Sequence, residues 1–313
     1  MSALELRNIS KHFGAIRALN NVSLTIEPGE VVGLMGDNGA GKSTMVKVIA
    51  GNFAPSSGDI FINGSKVHFH KPLDAQKAGI EVVTGCMETE ARRAMAGFLS
   101  LKARGRPFLT LKLAVSADGM LGRKGKGQVA ITGPLARTAV QTMRLAHEAV
   151  MVGVGTAIED DPLLTVRLPG LEHRSPRRVV VDPLARLPAS ARMFSDRPES
   201  TLVMTTEKAP RRSLDLLRRK GACVHVVASD YRGRMEPREI LRMLGVLGIK
   251  SVFLEGGAET ARRFLEGGLV DRLVLFAGAA TVGEGGIASP VDEATVPAEF
   301  RRSAESRFGE DRL

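Results

Sequence analysis

Four stretches of the sequence hold residue types whose spacing suits chemistry. The strongest local pattern is G-x-x-x-x-G-K-S, from Gly36 to Ser43 within EVVGLMGDNGAGKSTMVKVIAG. Gly36, Gly39 and Gly41 let backbone N–H groups face a phosphate chain, Lys42 reaches its outer phosphates, and Ser43, followed by Thr44, suits Mg²⁺. A strand over Val31–Met35 is predicted to enter this loop. A helix is predicted to begin near Ser43, its dipole favouring an anion. In FLTLKLAVS, Lys112 is the only charge in an apolar strand. Burying an ammonium without a partner is costly, so Lys112 either serves chemistry or lies on an edge strand and leads its charge to water. In GTAIEDDPLLTVRLPG, the pair Asp160 and Asp161 precedes a proline, with Arg167 following; a functional carboxylate and ordinary turn chemistry both fit. In SVFLEGGAETARRFLEGG, an apolar strand ends at Glu255 and passes through Gly256 and Gly257 into a helix. That arrangement suits a pyrophosphate, and a plain tight turn explains it equally.

The elements that must position these groups alternate. Strands are predicted over Phe108–Ser116, Val150–Gly153, Arg177–Asp182, Thr201–Thr206, Cys223–Val227, Ser251–Glu255 and Arg272–Gly278. A helix is predicted over Pro134–Ala149, with further helical patterns in SLDLLRRKG and EILRMLGVLG. Strand–helix alternation of this kind predicts a mainly parallel sheet covered by helices, an α/β fold.

The bulk numbers narrow the classes. At 313 residues, with 43% hydrophobic and 25% charged content, the chain reads as globular, with one large domain or two. No apolar run reaches the length of a membrane span, and the first residues lack a secretory pattern. Two distant cysteines, Cys86 and Cys223, supply neither a disulfide framework nor a four-thiolate zinc site, so a reducing cytoplasm is the expected compartment. The net charge of +10 suits anionic partners. No tryptophan and one tyrosine argue against nucleic acid and favour phosphorylated metabolites.

Two resemblances follow from these residues. The run LELRNISKHFGAIRALNNVSLTIEPGEVVGLMGDNGAGKSTMVKVIAGNFAPSSGDIFINGSKVHFHKPLDAQKAGIEVV resembles the start of an ABC transporter ATP-binding subunit of the sugar-importer type. The resemblance implies an ATP- and Mg²⁺-binding loop at Gly36–Thr44 and, at Phe13, either an adenine-stacking ring or a half-buried strand-end residue. It stops after Val83. The glutamine, the serine-glycine-glycine signature, the Asp-Glu strand end and the switch histidine of that family have no counterpart. Phosphoryl transfer rests on positioning and electrostatics, so ATP hydrolysis is not expected, while residual nucleotide binding stays open.

The second resemblance is carried by LKLAVSADGM, AITGPLAR, MVGVGTAIEDDPLLTVR, RRVVVD, FLEGGAETARRFLEGGLVDRL and RFGEDRL. Residues 84–313 resemble the reductase domain of the bifunctional riboflavin-biosynthesis deaminase–reductase. The resemblance implies a dihydrofolate-reductase-like fold and NADPH-dependent reduction of 5-amino-6-(5-phosphoribosylamino)uracil to a ribityl product. It implies Lys112, Asp160 and Glu255 as catalytic. It implies substrate contacts at Gln128, Arg144, Leu164, Arg167 and Glu255, with the two arginines suited to a phosphate. Cofactor contacts are implied at Ala114, Ala130, Thr156, Asp160, Pro183, Gly257, Ala258, Glu259 and Thr260. Gln128 and Pro183 replace hydroxyl residues of some relatives. A homodimer or larger assembly is implied, and no metal is required.

The family's deaminase needs an H-x-E and a P-C-x-x-C pair, which the sequence lacks. The expected organisation is therefore a truncated ATP-binding fragment (1–83), a deaminase-tail remnant and linker (84–107), and a reductase domain (108–313). A crossover is expected within residues 78–83, a string acceptable in both parents, and an unpaired sheet edge is expected near Leu313. The competing readings are a nonproductive chimera, an ABC transporter ATP-binding protein, and a dihydrofolate-reductase-like oxidoreductase with another substrate.

Overall fold

A computed structural model of the chain describes residues 2–37, 39–83, 87–230, 233–300, 304–309 and 311–313. They divide into two compact units, Met1–Glu88 and Thr89–Leu313.

In the first unit, β1 (Leu4–Phe13) and β2 (Ile16–Ile26) form an antiparallel hairpin through Gly14 and Ala15. Helix α1 (Lys42–Ile49) follows, then β3 (Ser57–Ile62), β4 (Ser65–Val67) and α2 (Pro72–Lys77). The sheet order is β2-β1-β3-β4, and Leu6, Ile9, Met45, Val48 and Ile60 help to close the core. Gly41 starts α1 with φ of 85°; a Cβ there would lie 2.5 Å from the Ala18 carbonyl oxygen, so glycine alone lets the helix begin this close to β2.

The strand expected over Val31–Met35 does not form. Val31 is 95% and Met35 91% exposed, and none of the four strands pairs with this segment. A phosphate-loop strand draws its stability from parallel neighbours; without a ladder its backbone groups hydrate instead.

The chain continues through α3 (Glu88–Ala94) and α4 (Ala96–Arg104) into β5 (Phe108–Val115) and β6 (Met120–Arg123). Next come α5 (Pro134–Leu145), β7 (Ala149–Gly153), α6 (Val154–Glu159), β8 (Arg177–Val181) and β9 (Thr201–Thr205). After these lie α7 (Arg211–Arg219), β10 (Cys223–Val226), α8 (Pro237–Val246), β11 (Ser251–Glu255), α9 (Ala258–Glu266) and β12 (Arg272–Ala277). Short strands β13 (Gly286–Ala288), β14 (Arg307–Phe308) and β15 (Asp311–Arg312) end the chain's elements. The large sheet has the order β10-β9-β8-β7-β11-β5-β12-β15-β14, and β6 pairs with β13 apart from it. Every pairing from β10 to β12 is parallel, and the last two are antiparallel.

Alternation along the strands sends buried side chains to two cores. Leu109, Leu111, Met151 and Leu254 pack with α8 and α9 through Leu241, Leu244 and Phe264. Val150, Val152, Phe253 and Phe276 pack with α5 and α7 through Ala136, Val140 and Leu217.

The helix expected over Pro134–Ala149 is shorter. It stops at Leu145, where His147 Nδ1 donates to Met143 O (2.7 Å) and its Nε2 accepts from Thr110 Oγ1 (2.9 Å), and Ala149 already pairs with Val252. Asp271 ties the segment before β5 to the sheet. Its carboxylate accepts from Arg104 Nη1 (2.6 Å), Arg106 Nη1 and Nη2 (2.7 and 2.9 Å) and Leu109 N (2.8 Å). At the far edge, β15 pairs with β12 at Ala277, and Asp311 accepts from Gly133 N (2.7 Å), which fixes the start of α5.

Candidate active site

Period-two alternation puts Thr110, Lys112 and Ala114 on the face of β5 opposite its four core aliphatics. The parallel register aligns Lys112 with Glu255 of β11 and with Val274 of β12. A cation and a carboxylate therefore stand side by side on central strands, on the face that α5 covers. Lys112 is not an edge lysine, because β5 has a neighbour on each side.

Arg144 reaches down from the last turn of α5. Its Nε and Nη2 donate to Glu255 Oε1 (2.5 Å) and Oε2 (2.9 Å), and its Nη1 donates to Thr165 O (2.9 Å). The two side chains are 10% and 16% exposed, so this fork is largely desolvated. Burial would raise the Glu255 carboxyl, but the charge and hydrogen bonds of Arg144, with Lys112 and Arg167, hold its pKa below the ordinary value. Burial pushes the Lys112 ammonium down; Glu255 opposes that shift and Arg144 adds to it. The Lys112 Nζ lies 5.7 Å from the Phe276 ring centroid and has no hydrogen-bond acceptor among the described residues.

The loop after α6 is strapped to α5. Gln141 Oε1 accepts from Arg167 N (2.9 Å), while Arg144 holds Thr165. This commits Arg144 to protein partners, whereas the Arg167 guanidinium makes no hydrogen bond among the described residues and acts on Glu255 through its charge alone. Of the two arginines expected at a phosphate, the geometry leaves Arg167 open. Asp160 caps α6; burial first, and the charge of Glu159 second, raise its carboxyl pKa. Asp161, with φ of 38°, instead accepts from Arg192 N (2.8 Å), which is turn chemistry.

Gly257 caps α9 in extended backbone, and a Cβ there would lie 2.8 Å from Thr156 Oγ1. A Cβ at Gly153 would overlap Thr260 Oγ1. Two glycines thus bring the β7 end and the start of α9 together, with two hydroxyls between them.

A cavity of about 970 Å³ joins these pieces. Lys112, Asp160 and Glu255 line it, as do Gln128, Arg144 and Arg167. So do Ala114, Ala130, Thr156, Pro183, Gly257, Ala258, Glu259 and Thr260. Leu164 is the exception: it is 2% exposed, has φ of 53°, and belongs to the core rather than to the cavity wall. Phosphate-loop residues lie in the first unit. There Lys42 Nζ donates to Gly36 O and Asp37 O (2.6 Å each), and Gly36, Gly39 and Gly41 all have positive φ. Ser43 and Thr44 lie in the first turn of α1. Phe13 packs edge-on against Phe53, with centroids 5.2 Å apart.

Sequence reasoning missed several members of the wall. Gln141 stands one helical turn before Arg144, a spacing that placed it on the same face. Arg123 and Lys124 come with the β6–β13 pair, whose partners are far apart in sequence. Asp118 fixes that arm: it accepts from Ser116 Oγ (2.6 Å), Val282 N (3.0 Å) and Gly283 N (2.8 Å), which lower its pKa to about 2. Among the described residues no cluster of three or more metal-ligating side chains gathers, and no helix is long and apolar enough to cross a membrane.

A mainly parallel sheet, helices on both faces and a cleft built at the strand ends define an α/β protein of the dihydrofolate-reductase-like class. Comparison with known proteins narrows this. The RibD C-terminal domain family matches residues 107–311, and the chain belongs to it. The ABC transporter family matches residues 19–101. Riboflavin biosynthesis protein RibD of Aquifex aeolicus is 35% identical over 210 residues, which cover 67% of this chain and 57% of the relative. The chain therefore spans little more than half the length of that curated relative. Xylose/arabinose import ATP-binding protein XylG of Sulfolobus acidocaldarius is 52% identical over 80 residues, covering 26% of this chain and 32% of the relative. A Thermotoga maritima structure is described as a diaminohydroxyphosphoribosylaminopyrimidine deaminase/5-amino-6-(5-phosphoribosylamino)uracil reductase. It superposes with a TM-score of 0.60 at 29% identity, over 76% of this chain and 64% of the other. The chain thus joins a RibD-type reductase domain to a fragment of an ABC ATP-binding protein.

Proposed function

We propose that the second unit reduces 5-amino-6-(5-phosphoribosylamino)uracil to its ribityl product with NADPH, without deaminase or ATPase activity. One observation carries this reading: Lys112, Glu255 and Arg144 converge on a single cavity that also contains the glycine-capped start of α9. The cradle fits a dinucleotide. The Gly257 backbone lies beside Thr156 with no room for a Cβ, and Thr156, Thr260 and the first amides of α9 supply donors for a pyrophosphate. Bound NADPH supplies the hydride.

The residues of the chain do the rest. Reduction adds a hydride to the reacting sugar carbon and consumes one proton at the heteroatom that gains the electron pair. Lys112 is suited to give that proton, because burial lowers its pKa and no protein acceptor occupies its ammonium. Glu255 stays ionised in the grip of Arg144, so it orients Lys112 and accepts from substrate hydroxyls rather than donating. Asp160, raised by burial, is the second carboxyl facing the cavity, and Arg167 is placed to hold the sugar phosphate. The division at residues 83 and 107, the dimeric assembly and a cytoplasmic site belong to the same reading.

The test is NADPH oxidation by the full chain with the deaminated pyrimidine ribosyl phosphate. Wild type turns over, and Lys112→Met loses roughly 100-fold or more in kcat, the usual weight of a general acid. A Lys112→Met protein that is folded and fully active would remove Lys112 from the chemistry. Inactive wild type would remove the proposed reaction.

A further inference from the structure

The loop after α6 is pinned at three successive residues. Thr165 O accepts from Arg144 Nη1, Val166 N donates to Ser175 Oγ and Arg167 N donates to Gln141 Oε1, each at 2.9 Å. Ser175 is anchored in turn, its hydroxyl donating to Glu172 O at 2.7 Å. Leu164 and Val166, 2% and 1% exposed, are buried on either side of Thr165. Arg167 therefore leaves a fixed backbone to reach the wall of the main cleft.

Gln141 does more than hold this loop. A backbone N–H needs an acceptor, and only the oxygen of a side-chain amide supplies one, so the bond to Arg167 settles which way round the amide lies. Its Nε2 keeps two donors and has no acceptor among the described residues. Gln141 is 8% exposed and lines the main cleft. Buried donors in native proteins find acceptors, and the open side of this amide is the cleft. Arg137, Gln141 and Arg144 follow the i, i+4, i+7 spacing of one helix face, and all three line the cleft. We infer that Gln141 reads the phosphate of the sugar: Nε2 donates to the dianion that Arg167 receives, while Oε1 holds the Arg167 backbone in place. The role rests on the reductase reading, which supplies a sugar phosphate as the ligand.

The pairing favours a phosphate over an uncharged acceptor. One hydrogen bond joins the two residues, so amide and guanidinium start from neighbouring points on the same wall. The Arg144 donors are taken up by Glu255 and Thr165, which leaves Arg167 as the guanidinium of this pair that is open to an anion. A phosphate presents three oxygens, enough for a guanidinium fork and an amide together. A lone carbonyl would satisfy one donor and leave the cation without a counter-charge.

Gln141→Glu in the full chain tests the role, because it keeps the shape and the acceptor for Arg167 N while replacing the donors by a charged oxygen. Calorimetric titration with ribose 5-phosphate should show binding weakened roughly tenfold or more, the scale of one charge-assisted hydrogen bond. In steady state the KM for the pyrimidine ribosyl phosphate should rise by a similar factor. The KM for NADPH, and kcat/KM for the dephosphorylated riboside, should change by less than about twofold, since neither ligand carries the group being read. A residue that only holds the loop predicts instead that Gln141→Glu behaves as wild type, and that result would overturn the inference. Equal losses for the phosphorylated and dephosphorylated ribosides would also overturn it, by placing Nε2 against another part of the ligand. Ribose 5-phosphate binding that weakens in Gln141→Glu, with no NADPH oxidation by wild type, would keep the phosphate contact and remove the reduction. Turnover by wild type with an unmoved KM in the variant would do the reverse.

Discussion

Replacing Glu255 by glutamine tests the electrostatic design of the cleft most directly. The substitution keeps the shape and removes one charge. Arg144, with its side chain 10% exposed, then loses its counter-charge and one of two charge-assisted bonds to residue 255. Removing one partner of a buried pair costs about 3–5 kcal/mol, and the retained amide oxygen places this case near 3 kcal/mol. With an m-value of about 2 kcal/mol per M, the urea midpoint should fall by roughly 1.5 M. Amide exchange of the β5–β11 ladder, followed along the urea titration, reports the second unit alone. A second readout follows Lys112. Glu255 favours its charged form, so the substitution lowers a pKa that burial already depresses. A donor must be protonated, and the fall of kcat on raising the pH should therefore begin at lower pH in Glu255→Gln than in wild type. A midpoint drop below about 0.5 M, equivalent to an exposed pair, together with an unmoved pH limb, would refute the reasoning.

Two further outcomes are expected. Gly153→Ala should force a Cβ onto Thr260 Oγ1 and displace the start of α9, at an overpacking cost of about 1–3 kcal/mol. Its KM for NADPH should rise, and adding Thr260→Ala should restore it; a Gly153→Ala enzyme with unchanged stability and KM would show that the contact is slack. Asp118 has a pKa lowered from its ordinary 3.8 to about 2 by hydrogen bonds from Ser116, Val282 and Gly283. Its contribution is therefore present above pH 3.8 and lost as pH falls through about 2. Amide exchange at Val282 and Gly283, corrected for intrinsic rate, should accelerate across that window, and Asp118→Asn should abolish the pH dependence.

Much was legible in the chain order of residue types. Alternating apolar strands and helices gave the mainly parallel sheet, because side-chain period reports which surface each element must bury. The position of Glu255 before two glycines and a helix was equally local, and so were the deviations that interrupt the ATP-binding resemblance. Element ends were less accurate: the predicted helix over Pro134–Ala149 lost its last residues to His147 contacts and to β7 pairing, both made with distant segments.

Pairing across the sheet decided the remainder. Whether Lys112 faced water or a cleft depended on which strands flank β5, and those are β11 and β12, more than a hundred residues downstream. The bond from Arg144 to Glu255 spans a similar separation, and it turned a residue expected to hold phosphate into the support of a carboxylate. Leu164, a contact by resemblance, was drawn into the core. The glycine loop shows the converse. Its sequence specified the turn and the helix, yet Val31–Met35 stayed in water, because a strand becomes one only when neighbours satisfy its backbone. Sequence alone determined which groups were available and which local shapes they prefer; tertiary structure decided their partners, since burial and pairing arise from contacts between segments that no local pattern records.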